Sequence, residues 1–141
     1  MSLDTKSPAS DAEEQPAPKV PVARSRIVVG YSSRPEGRAA LARALVEAEL
    51  RGSELIVLHT AEDDVLQLRA ELDATGQPYE LRPSDDALDP AEDLIVTAED
   101  AGAAFIVIGL RRRSPVGKLL LGSNAQRVLL DASCPVLAVK A

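Results

Sequence analysis

From Arg26 onward, continuous apolar runs alternate with helical stripes. Ile27-Val28-Val29-Gly30-Tyr31 is the first run, with the pattern of a strand covered on both faces. Ser33-Arg34-Pro35-Glu36 then reads as a capping box with proline in the first turn. The helix it opens carries Leu41, Ala44, Leu45 and Ala48 on one face, and Gly52 stops it. Leu55 to His59 is a second buried strand. Val65, Leu68 and Leu72 recur at helical spacing and end before Gly76. Tyr79 and Leu81 alternate with Glu80 and Arg82 between Pro78 and Pro83, which predicts a short edge strand. Asp89-Pro90-Ala91-Glu92 opens a third helix with cap and N1 proline in place. Its buried stripe is Leu94, Ile95, Ala98 and Ala101, and Gly102 closes it. Phe105 to Leu110 is the fourth strand. Ser123, with Gln126 three residues on, predicts a capped fourth helix. Pro135 to Val139 is the last strand.

Five strands alternating with four helices predict a single α/β domain with a five-stranded, doubly wound, Rossmann-like parallel sheet. The expected strand order is 3-2-1-4-5. In such sheets ligands lie outside the C-terminal strand ends, where the order reverses. That point falls between the first and fourth strands, at the loops Tyr31 to Arg34 and Leu110 to Leu121. The second loop is long for a strand-to-helix connection, which usually has about 2–6 residues. It also holds Arg111, Arg112, Arg113 and Lys118. Cations beside the free N–H groups of a helix start suit an anion such as phosphate. A solvated charged loop is the plainer reading of the same run.

Composition narrows this picture. Residues 1–24 are rich in Pro, Ala, Ser, Asp and Glu and predict a disordered tail. Residues 25–141 form the domain. Aromatic residues make up only 2% of the 141 residues, so the core must be aliphatic. A net charge of −6 disfavours nucleic acid as a partner. No run approaches the roughly 20 apolar residues of a membrane helix, and no signal segment is visible, so a cytoplasmic location is expected. One cysteine, Cys134, and one histidine, His59, cannot build a Cys/His zinc site. Cys134 is expected to pack as a small buried hydrophobe, and His59 to be a structural or pocket-wall residue. Gly117-Lys118 is not a P-loop, because Leu119 stands where Ser or Thr is required. G-x-G-x-x-G is absent after the first strand. A receiver domain would need acids where Ser32-Ser33 stand, and Asp85, Asp86 and Asp89 read as loop and cap residues. No general base is paired with a nucleophile, so an enzyme is not expected.

The run from Ile106 to Val139 resembles the C-terminal half of universal stress proteins, whose motif is G-x2-G-x9-G-(S/T) followed by a CPVLVV-type strand. Gly109 supplies the first glycine, Gly122-Ser123 the last pair, and Cys134-Pro135-Val136-Leu137 the ending. IVVGYSS and RAALARAL are similar to the family's opening strand and helix. The resemblance implies an adenine nucleotide alpha hydrolase-like fold that binds ATP, with or without magnesium, as a stress-response sensor or regulator. It implies phosphate and ribose contacts at Gly109, Arg111, Arg112, Gly122, Ser123 and Asn124. It also implies an adenosine end at Gly30, Tyr31 and Ser32, with Thr60 and Ile108 as walls. Two positions depart from the family: Arg112 replaces the second glycine, and Ser32 replaces an aspartate. The rival reading is a nucleotide-independent interaction module of the same fold. Under either, the resemblance implies a homodimer through Pro135 to Val139.

Overall fold

The computed structural model describes residues 24–111 and 121–141. The expected N-terminal tail, Arg112, Arg113 and Lys118 lie outside the described residues, apart from Arg24. The elements are β1 (Arg26–Gly30), α1 (Pro35–Arg51), β2 (Glu54–His59), α2 (Val65–Thr75), β3 (Tyr79–Pro83), α3 (Pro90–Ala101), β4 (Phe105–Leu110), α4 (Ser123–Asp131) and β5 (Val136–Lys140). All four strand pairings are parallel, and the sheet order is β3-β2-β1-β4-β5, as the alternation predicts.

Side chains alternate across a strand, so each central strand feeds two cores. Ile27, Val29, Leu55, Val57 and Val107 face α1 and α2, where Ala40, Leu41, Ala44, Leu68 and Leu72 meet them. Val28, Ile56, Ile106 and Ile108 face α3 and α4, where Leu94, Ala98 and Val128 meet them. The middle residues of the central strands are fully buried, and each such aliphatic side chain contributes about 1.5–3 kcal/mol. The edges differ. In β5, Val136 to Val139 are only half-buried, and so is most of β3.

Two predicted caps shift by one residue. Arg34, not Ser33, is the N-cap of α1, at φ −74° and ψ 160°, with no side-chain bond. Pro35 takes the first helical position and holds its predecessor extended, so the cap cannot sit earlier. At α4 the cap is Gly122, whose carbonyl accepts the Gln126 N–H at 3.0 Å, and Ser123 becomes the first helical residue. Asp89 caps α3 as expected, accepting the Glu92 N–H at 2.8 Å. The last strand also starts one residue later than predicted, at Val136.

Candidate functional site

β1 and β4 are neighbours at the centre of the sheet, with Val29 opposite Val107, so their C-terminal ends open side by side. A cavity of about 290 Å³ lies there. Gly30, Tyr31, Ser32, Thr60, Ile108, Gly109 and Asn124 line it, with Leu94 and Val128 as apolar walls. A second cavity of about 260 Å³ adjoins it through Gly109, Asn124 and Glu36. Arg111, Gly122 and Ser123 line that one. The crevice thus brings together every site residue predicted from the sequence except Arg112, which lies outside the described residues. Together the two cavities reach the about 300–1,000 Å³ range of small-molecule sites.

The floor of the crevice is built by close backbone approach. A Cβ on Gly109 would sit 2.5 Å from the Glu36 carbonyl carbon and collide outright with its oxygen. Gly37, in the first turn of α1, packs as tightly on the Ser32 backbone and hydroxyl. Both glycines therefore let α1 lie flush against β4 and the β1–α1 turn. At the far wall, the N–H groups of Ser123, Asn124 and Ala125 precede the first intrahelical bond of α4. Among the described residues no side chain caps them, which leaves them as donors facing the cavity. Arg111 stands beside them, with its Nε 3.4 Å from Glu36 Oε2.

The wall of the crevice after β1 and β2 is a hydrogen-bonded frame. The Tyr31 N–H donates to the Leu58 carbonyl at 2.9 Å. The Arg38 guanidinium donates to the Tyr31 hydroxyl at 3.0 Å and to Glu71 at 3.3 Å. Burial raises the Tyr31 pKa above its ordinary 10.0, against the lowering effect of Arg38. After β2, buried Asp63 accepts the Thr60 N–H at 2.8 Å and the Thr60 hydroxyl at 3.1 Å. The Asp63 N–H returns a bond to the Thr60 carbonyl at 3.2 Å, which closes a tight turn. His59 is buried, with Nδ1 3.1 Å from that carbonyl, and lines a neighbouring cavity, not the crevice itself. Cys134 is half-buried rather than buried; it sits far from this crevice, and burial raises its thiol pKa.

Asp85 and Asp89 serve as loop and cap residues: Asp85 accepts the Ala87 N–H at 2.9 Å, and Asp89 caps α3. Buried Asp93 accepts the Asp85 N–H at 2.8 Å. Among the described residues no group of three or more His, Cys, Asp or Glu could hold a metal ion, and no helix is long and apolar enough to cross a membrane. Sequence reading missed Glu36 and Gly37, which line the crevice, and Asp63, which holds its Thr60. Gly37 did carry a signal, since glycine is costly inside an alanine- and leucine-rich helix unless space demands it. Glu36 was masked by its apparent duty in a capping box.

The donor set suits a nucleotide: an apolar slot, a glycine floor, and an open helix start with a guanidinium at one end. Glu36 is the one poor match to an anion.

Known proteins agree with this geometry. A model of the universal stress protein family matches residues 23–89 and 85–140. A universal stress protein of Mycolicibacterium smegmatis is 42% identical over 126 residues, which cover 81% of this chain and 96% of that protein. The structure of a universal stress protein from Archaeoglobus fulgidus matches with a TM-score of 0.68 at 28% identity, over 84% of this chain and all (100%) of that one. A universal stress protein solved in complex with cAMP matches with a TM-score of 0.65 at 25% identity, over 84% and 98% of the two chains. By family match and by relative, this chain belongs to the universal stress protein family.

Proposed function

We propose that this chain is a cytoplasmic sensor or regulator that binds an adenine nucleotide, ATP first, in the crevice between β1 and β4. It works by binding and not by turnover. The observation that carries this reading is the continuity of the crevice. Its apolar part, with Leu94, Ile108 and Val128, runs over Gly109 into the open start of α4 beside Arg111. A purine fits the first part and a phosphate the second. The relative solved with cAMP supports an adenine nucleotide as the class of ligand. Gly30, Tyr31, Ser32 and Thr60 would hold the nucleoside end, and Gly109, Arg111, Gly122, Ser123 and Asn124 the phosphates.

The test is calorimetric titration with ATP, ADP and AMP, with and without magnesium. Heat of binding with a Kd below millimolar is expected. No heat and no thermal shift at millimolar nucleotide refutes the reading.

The second reading, an interaction module that has lost its nucleotide, has its own support. Ser32 offers no anionic acceptor after β1, and Glu36 puts a carboxylate at the phosphate end. On either reading we propose a homodimer through β5. That strand is at the sheet edge, and its outer backbone groups have no partner strand among the described residues.

A further inference from the structure

Glu36 is the side chain in this crevice that a phosphate would avoid. It stands in the first turn of α1, directly after Pro35. Its side chain is only 17% exposed, so the carboxylate is held within the crevice and not in bulk water. It lines both cavities and marks the junction between them. Its backbone cannot retreat, because its carbonyl is packed on Gly109. Its partner is Arg111, the one cationic side chain among the described residues that line the two cavities. The pair cancels, so the described walls offer an incoming polyphosphate no net positive charge.

A carboxylate and a polyphosphate share such a space when a hard cation sits between them. Magnesium is usually held by one or two carboxylates together with substrate phosphates, keeping several of its waters. No cage of protein ligands is needed, and none is present among the described residues. We infer that Glu36 makes binding of the polyphosphate end conditional on a divalent cation, as the protein ligand that ties the cation to the crevice. This rests on the nucleotide reading above. With the cation present, Glu36 contributes an attractive contact and Arg111 turns toward phosphate. Without it, Glu36 repels the chain of phosphates and keeps Arg111 occupied. A monophosphate carries less charge and feels the gate less.

The plainer role for Glu36 is structural: an acid in a first helical turn complements the helix dipole. That role predicts a change in stability and no change in metal dependence. The experiment is calorimetric titration of ATP and AMP, each in magnesium and in chelator at matched ionic strength, for wild type, Glu36→Gln and Glu54→Gln. Glu54 lies at the opposite end of the sheet, paired with Arg26 at 3.4 Å, and serves as the control. In wild type and control, magnesium should tighten ATP by about tenfold or more, the scale of one charge-assisted contact, and AMP much less. In Glu36→Gln, metal-free ATP should bind more tightly than to wild type, and most of the magnesium gain should vanish. Because magnesium also neutralises ATP in solution, an equal gain in wild type and variant overturns the inference. Should Glu36→Gln fail to fold, Glu36→Ser carries the same expectation. If no nucleotide binds any variant under any condition, the nucleotide reading falls and takes this inference with it.

Discussion

Changing Gly109 to serine should cost far more stability than the same change at Gly122, although both glycines line one cavity. At Gly109 the new Cβ would lie 2.5 Å from the Glu36 carbonyl carbon. The obstacle is backbone in the first turn of α1, so no rotamer change relieves it. Either α1 lifts off β4 or the end of β4 bends away. Overpacking of this kind typically costs 1–3 kcal/mol, and a backbone obstacle belongs at about 3 kcal/mol or above. At Gly122 nothing among the described residues lies within 4 Å of the new Cβ, and φ is −70°, so serine is unstrained there. Gly122 is also an N-cap, where serine outperforms glycine by a few tenths of a kcal/mol. Urea unfolding followed by helical circular dichroism reads both. With a slope of about 2 kcal/mol per molar, Gly109→Ser should lower the midpoint by about 1.5 M. Gly122→Ser should leave it unchanged or slightly raised. A Gly109→Ser midpoint near wild type would refute the claim that α1 and β4 are locked together at this contact.

Two further outcomes are expected. Replacing Ala138 by proline at the edge strand should convert the proposed dimer to monomer, read by sedimentation at tens of micromolar, because proline removes a ladder donor; a wild-type chain that is already monomeric there would refute the dimer. The second concerns acid stability. The Glu92 N–H, and after it Arg127, hold the Asp89 carboxyl below its ordinary 3.8. Asp89 therefore stabilises the folded state in full above that value, and the contribution is lost as pH falls through its lowered folded-state pKa. Asp89→Asn retains a capping oxygen but no charge, so it should flatten the acid limb of the melting temperature measured against pH. An unaltered acid limb would count against the assignment.

The sheet was legible because its central strands are unbroken β-branched and aliphatic runs, and because helix stops stand at Gly52, Gly76 and Gly102, all in the left-handed conformation. Local signals of that strength survive any tertiary context. The caps were less secure, since a Ser-x-x-Glu or Ser-x-x-Gln pattern fits more than one register. At α1 the proline decided the register, and at α4 the extended Gly122 did. The crevice residues that motif and strand order could reach came together as expected. Asp63 was a local turn signal left unread, three residues from the Thr60 it bonds, whereas Glu36 escaped because its role depends on a distant partner, the Gly109 on which its carbonyl packs. Spacing along the chain carries no record of such contacts.

The central position of β1 and β4 has a consequence for how a ligand would act on the whole molecule. Val29 lies opposite Val107 at the crevice end of the two strands, and two strands and three helices of chain separate them. A molecule seated over that pair touches the first and the last third of the domain at once. It would act as a clasp between halves that neither half can close alone. The clasp's stabilisation would appear in the unfolding of the domain as a unit as well as in the opening of the loops that line it. At a hundredfold excess over Kd, a ligand that binds only the folded state adds about 2.7 kcal/mol to its stability. For this fold that increment would protect β1 and β4 together, so the concentration of such a ligand would set the lifetime of the folded domain against proteolysis.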